Sequence, residues 1–454
     1  MRFPVDLPGV GGLDRCVLSD GRGFSRSAVI GALCAGAFLL AAAPAGADTF
    51  TVTNGSDAGA GSLRQAISDA EGNGNEPSAD LIQVTFTGNI DLQSALDIST
   101  AMTITGPGAS NLDVRRAPTA SGSFPLFSLL PATGNTVTIQ GLTISGARAM
   151  NFAGGGISMG GLGTLIVDSV VLADNQALGN GEGGAVFFDR GFTSIRNSTL
   201  SNNQASFGGA ILGASFGADV GNGEVVNSTI SGNSAIEFGG GIYTNVSHIQ
   251  ILSSTIVNNV GGTNDIGSGG GTYNGASDAL AFSVANTLYA GNKAGTTTPV
   301  DSQCGGDHTS FGYNLRQTSE VDCVGFNQTG DAVFPGASML GSLGSNGGPT
   351  PTIALLTGNP AIDAGNPATL GGAFPACPAT DQRGFLRGGT AGRCDIGAFE
   401  LNATPPAGAT TTPPANPGPT GLRARAIRKC KKKFRHNPVK RRKCIKRAKR
   451  VLPV

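Results

Sequence analysis

The sequence has no tryptophan and only three histidines, His248, His308 and His436. That leaves little for a histidine-built metal centre or an imidazole acid–base site. No Cys-x-x-C occurs, so the common zinc-ligand spacing is missing too. Asp-Asp and Asp-x-Asp are absent between residues 150 and 300, as is the Gly-Gly-x-Gly-x-Asp calcium repeat. Charge is scarce, at 13% of 454 residues. Glycine is the commonest residue, at 72, but follows no Gly-X-Y period, which excludes a collagen-like chain. It sits beside short β-branched runs, which predicts many turns joining many short strands.

Those turns are periodic. Residues 169–175 read Ser-Val-Val-Leu-Ala-Asp-Asn, 197–203 Asn-Ser-Thr-Leu-Ser-Asn-Asn, 227–233 Asn-Ser-Thr-Ile-Ser-Gly-Asn and 253–259 Ser-Ser-Thr-Ile-Val-Asn-Asn. A looser copy, Asn-Thr-Leu-Tyr-Ala-Gly-Asn, occupies 286–292. The aliphatic anchors Leu172, Leu200, Ile230, Ile256 and Leu288 are 28, 30, 26 and 32 residues apart. Glycine phrases recur between them, beginning at Gly154, Gly183, Gly208, Gly239 and Gly269. Two strand-like phrases per period of about 30 residues mark a solenoid. Strands this short bury no face alone; stacked coil on coil they form parallel sheets around a shared interior. Asn175, Asn203, Asn233 and Asn259 then predict an asparagine ladder at a bend, where asparagine tolerates left-handed backbone. Ser198, Ser228 and Ser254 predict a second ladder. Asp168 and Arg196, at equivalent positions in adjacent coils, predict a surface ion pair of ~0–1 kcal/mol.

The flanks differ from the repeats. Residues 1–47 read as a signal peptide: Arg22 and Arg26 precede an apolar run from Ala28 to Ala43, and Ala45-Gly46-Ala47 offers a cleavage site. Residues 48–135 hold an N-terminal cap and the first irregular coils. Ser62-Leu63-Arg64-Gln65 has capping-box spacing, and Leu63, Ala66, Ile67 and Ala70 line one helix face. Ile144, 28 residues before Leu172, lies in an earlier coil of the regular region 136–300. From Cys304 to Asp331 the period is expected to break. Residues 301–401 are expected to be a disulfide-pinned segment that covers the far end of the solenoid. A Pro/Thr-rich linker (402–420) leads to a basic tail (421–454). That tail holds 16 Lys or Arg and no acid, against a net −16 for residues 48–420. Export would leave six cysteines in an oxidising compartment, and proximity favours Cys304–Cys323, Cys377–Cys394 and Cys430–Cys444 among 15 pairings.

The run Ser-Thr-Leu-Ser-Asn-Asn-Gln-Ala-Ser-Phe-Gly-Gly-Ala-Ile at 198–211 resembles the repeats of polymorphic outer-membrane proteins, and of bacterial right-handed parallel β-helix proteins generally. Residues 50–70 resemble a CSLREA-type N-terminal segment, with Gly61 in place of its Cys and Gln65 in place of its Glu. Residues 339–400 resemble a choice-of-anchor Q domain. They carry Ala-Ile-Asp-Ala-Gly (361–365), Asp-Gln-Arg-Gly (381–384) and Cys-Asp-Ile-Gly-Ala-Phe-Glu (394–400) in order. The resemblance implies an all-β, right-handed parallel β-helix, a pectin-lyase-like solenoid, in a secreted or surface-attached protein.

Many such folds act on polysaccharides, so catalysis has to be weighed. Glycoside hydrolysis usually needs two carboxyls about 5–10 Å apart. β-Elimination from a uronic acid usually needs Ca²⁺ held by clustered carboxylates. Asp168, Asp174, Glu182, Asp189, Asp219, Glu224 and Glu237 do not recur at one offset from the anchors, and His248 reads as a strand-edge residue. No catalytic, cofactor or metal residue is assigned. The expected function is adhesion, or carbohydrate or cell-envelope binding by a long face of Asn, Ser and Thr. The alternatives are a lyase or glycoside hydrolase acting on an acidic glycan, and a passive surface protein. Three or more acids clustered on one sheet face beside Arg190 or Arg196 would favour the lyase. The expected partners are glycans, or anionic envelope polymers held by the basic tail. No nucleic acid, no transmembrane segment in the mature chain and a monomeric state are expected.

Overall fold

The computed structural model describes residues 46–405, except 75–77, 152, 215–219, 246, 266–267, 277–280, 318–322, 335–338 and 389–391. The run read as a signal peptide and the basic tail, with Cys430 and Cys444, lie outside the described residues. The chain winds into a right-handed parallel β-helix. One coil shows the plan: Thr164–Asp168 in sheet A, Val171–Ala173 in sheet B, Gln176–Glu182 in sheet C and Val186–Phe188 in sheet D. Among the described residues these four sheets contain ten, ten, seven and eight strands. Side chains alternate inward and outward along each strand. In sheet A, Leu165 and Val167 are buried inside the coil while Thr164, Ile166 and Asp168 face out.

The anchors stack in register: Ile144, Leu172, Leu200, Ile230 and Ile256. The fifth line departs from the expected anchor, because Tyr289, not Leu288, pairs with Ile256. A one-residue slip exchanges the faces of a strand. Here Tyr289 fills the interior and meets the Phe326 ring edge-on at 5.9 Å, while Leu288 turns outward into a second apolar cluster.

Asn175, Asn203, Asn233 and Asn259 are fully buried. Each Nδ2 donates to the Oδ1 of the next coil's asparagine at 2.9–3.0 Å, and also to a carbonyl one coil below. The ladder runs on through Asn292 to Gln303. These residues do not take the left-handed backbone themselves. The residue before each does: Asp174, Asn202, Gly232, Asn258 and Gly291 have φ between 56 and 71°. The left-handed residue turns the chain, and the next side chain points into the coil, where its amide satisfies backbone that the bend leaves unpaired. The serines act similarly at the A–B bend: Val170 N donates to Ser198 Oγ, Ser198 N to Ser228 Oγ and Ser228 N to Ser254 Oγ.

Both ends of the interior are closed. At the N-terminal end lies the helix Leu63–Gly72, whose Leu63, Ala66, Ile67 and Ala70 are buried. Ser62 caps it by accepting from Gln65 N, but the Gln65 amide turns to Asp69 instead of reaching back, so the capping box is half formed. At the other end the expected break in period does not occur. Cys304–Gly305, Thr309–Ser310 and Leu315–Gln317 continue sheets D, A and B. A disulfide joins Cys304 to Cys323, and Phe326 closes the core beside it.

His308 is buried in this last coil. Its ring stacks on Phe282 at 4.8 Å, and Nε2 and Nδ1 bond Thr272 Oγ1 and Gly306 O. Burial lowers its pKa to about 4. The unfolded chain, with an ordinary histidine near 6.5, binds a proton that the folded chain refuses. Stability is therefore expected to fall as pH drops from 6.5 towards 4, by up to about 1.4 kcal/mol per pH unit. Urea unfolding across this range tests it, and a His308→Gln variant should lose that slope.

The closing segment, from Leu340 to Glu400, does not cover the far end. It folds back along the outer flank of sheet B as a strap. Gln382 Nε2 donates to Thr199 Oγ1 and its Oε1 accepts from Thr229; Ala398 N donates to Thr255 Oγ1. Ile353, Leu355, Ala361, Ile396 and Phe399 cover the outward Val257, Leu288, Ala290 and Leu315. That apolar strip needs cover more than the solenoid end does, since Phe326 already fills the end. A disulfide joins Cys377 to Cys394, and Gly365 leaves room for the Cys394 sulfur where a Cβ would collide. Arg383 pairs with buried Asp381 at 2.7 Å and lies over the Phe385 and Phe399 rings.

Candidate functional site

The strap occupies much of the polar face expected to be available. Thr199, Thr229 and Thr255 are buried beneath it. One long face that remains open is the outer side of sheet A. Its register brings Thr164, Phe192, Asn222 and His248 into one row, and Ile166, Ser194, Glu224, Gln250 and Ser283 into the next. Neighbouring strands in such a row lie about 4.8 Å apart.

Between the rows is a shallow groove of about 260 Å³, lined by Phe192, Asn222, Glu224, His248, Gln250 and Ser283. Phe192 is an exposed ring, 38% accessible. Glu224 accepts from Ser194 Oγ at 2.6 Å, which fixes one carboxylate oxygen. The floor is held from inside the coil. The Phe188 ring leans beneath Gly223, where a Cβ would come within 2.7 Å of it. The backbone can therefore run flat there only without a side chain.

The acids of the repeats are dispersed. Asp168 and Glu224 lie on sheet A, Asp174 at the B–C bend, Glu182 and Glu237 near the C–D corner, and Asp189 after sheet D. Asp219 lies outside the described residues. Asp168 pairs with Arg196 at 3.1 Å and accepts from Asn197 Nδ2 and Ser169 Oγ; Asp189 faces Arg190 at 3.5 Å. Burial raises the pKa of both Asp174 and Asp189. Among the described residues no three His, Cys, Asp or Glu side chains gather as metal ligands would. His248 is exposed and opens its strand, at the edge of the groove.

The groove was readable at two offsets that the acid mapping passed over. Phe192, Asn222 and His248 stand eight residues before the anchors Leu200, Ile230 and Ile256; Ser194, Glu224 and Gln250 stand six before them. A row on a parallel sheet mixes residue types at one offset, so a search for acids alone misses it. No protein-family model and no curated protein matches this chain.

Proposed function

We propose that this chain is an exported, envelope-associated β-helix protein that holds an extended, hydroxyl-rich carbohydrate along sheet A without cleaving it. The groove carries this reading. Asn222, Glu224, Gln250 and Ser283 offer donors and acceptors at coil spacing, and Phe192 offers an aromatic surface beside them. One carboxylate lines the groove, whereas glycoside cleavage usually employs two. The two disulfides suit an oxidising compartment. The resemblance to CSLREA-type, polymorphic outer-membrane and choice-of-anchor Q proteins supports a surface location.

A glycan array, run beside assays for reducing ends and unsaturated uronates, tests the reading. Phe192→Ala with Glu224→Gln should weaken carbohydrate binding at least tenfold while leaving thermal stability nearly unchanged, since both side chains face outward. Appearance of either product would overturn the non-catalytic reading.

Attachment is proposed to reside in the basic tail, through anionic envelope polymers. Deleting residues 421–454 should release the protein from the envelope, and high salt should do the same by screening. Retention unchanged by both treatments would rule out attachment by charge.

A further inference from the structure

The glycine phrases build a second surface, at the corner between sheets C and D. One column stands immediately before the first glycine of each phrase: Ala153, Glu182, Phe207, Phe238 and Ser268. Backbone bonds step along it, from Gly154 N to Glu182 O, Gly183 N to Phe207 O and Gly208 N to Phe238 O, at 2.7–3.1 Å. The other column is the outward row of sheet D: Phe187, Leu212, Tyr243 and Tyr273. The glycines make the columns meet. Gly239 and Gly269 have φ of 68°, and a Cβ on them would fall 2.8 and 2.7 Å from the Tyr243 and Tyr273 side chains.

The rings form one strip. Phe207 lies 5.4 Å from Tyr243, Phe238 4.5 Å from Tyr273, and Tyr243 stacks on Tyr273 at 5.9 Å. All four are partly exposed. Glu182 pairs in register with Phe207, and Glu237 adjoins Phe238. Among the described residues neither carboxylate has a cationic or hydrogen-bonding side-chain partner. Burial raises the pKa of Glu182; burial, then Tyr273 and then the two carboxylates raise that of Tyr243.

We propose that this corner is a carbohydrate site separate from the sheet A groove, selective for extended chains of free amino sugars such as a 1→4-β-linked glucosamine oligomer. Partly buried carboxylates without partners, beside aromatic rings, suit ammonium groups. Spacing favours a sugar chain. Glu182 and Glu237 belong to coils two apart, so they stand roughly 10 Å apart along the axis. In an extended two-fold 1→4-β-linked chain the amines on one side recur at every second sugar, an advance of comparable length.

The test uses the full mature protein with three probes: glucosamine hexamer, its fully N-acetylated counterpart and a lysine oligomer of equal charge. The wild type should bind the free-amine hexamer at least tenfold more tightly than the acetylated one. Glu182→Gln with Glu237→Gln should abolish that preference. Equal binding of both hexamers, or indifference to the glutamine pair, overturns the proposal. Lysine oligomer binding as tightly, with the same dependence on the two glutamates, overturns the amino-sugar assignment. Phe192 and Glu224 take no part in this corner, so it and the sheet A reading fail independently.

Discussion

Asn233→Ala is expected to destabilise the solenoid by on the order of 4 kcal/mol, although it removes no charge and little apolar area. Asn233 Oδ1 accepts from both Asn203 N and Asn203 Nδ2 at 2.9 Å, while its own Nδ2 donates to Leu200 O and Asn259 Oδ1 at 3.0 and 2.9 Å. Alanine removes these four bonds from a fully buried row and takes from Asn203 N its acceptor and from Leu200 O its amide donor, while Asn203 Nδ2 keeps Leu172 O and Asn259 Oδ1 keeps the N–H of residue 233. An orphaned buried polar group costs about 1–3 kcal/mol, with some relief from relaxation. The loss also spreads, because stacked coils are stabilised through their neighbours. Asn202→Gly is the matched control. Its position is the left-handed one, with φ of 56°, and the next coil already has Gly232 there. It should cost less than about 1 kcal/mol. Urea unfolding followed by circular dichroism measures both. Equal losses would mean that the bend, not the amide ladder, holds the coils.

The same pair shows how much of the fold was legible. The repeats announced coils because every coil must place an apolar anchor, a bend and an amide at like positions, and physics repeats where geometry repeats. Asn202 and Asn203 look alike in the sequence, yet one turns the chain and the other satisfies it. Only the neighbouring coils, where Gly232 stands for the first and Asn233 for the second, tell them apart. Leu288 passed for an anchor because it is aliphatic, but the bend and the ladder asparagine fix the register, and they place Tyr289 inside. The strap was beyond such reasoning. Gln382 reaches Thr199 across 183 residues, and a single glutamine has no period to betray its partner. The sheet A groove falls between these cases. Its offsets repeat, but its side chains do not.

Arg387→Met is expected to detach the strap while leaving the coils folded. Arg387 and Glu400 form a fully buried ion pair at 3.2 Å, and Arg387 also bonds Asn227 Oδ1, Gly397 O and Asp395 O. Breaking a buried pair from one side costs about 3–5 kcal/mol, because the remaining charge loses its counterion. Here two acids are stranded. Burial, and then the proximity of Glu400, already raise the pKa of Asp395 to about 6, with Arg387 opposing them. Folded Asp395 thus holds a proton that an unfolded aspartate, near 3.9, has released. Its contribution to docking is complete below about 3.9 and disappears as pH rises through 6. That slope is opposite to the one set by His308, and it should extend to higher pH in Arg387→Met, which removes the cation that opposes the rise. Adding Glu400→Gln should recover part of the loss, since the amide brings no charge and its single oxygen still accepts from one of the two N–H groups, Gly388 N and Asp395 N, that meet the two carboxylate oxygens. Hydrogen exchange reads the two parts separately. Amides from Leu340 to Glu400 should lose protection, while those of Thr164–Asp168 and Phe192–Arg196 keep theirs. Equal loss in both would mean that strap and solenoid form one cooperative body, in which case the outward threonines of sheet B depend on the strap to keep the coils themselves stacked.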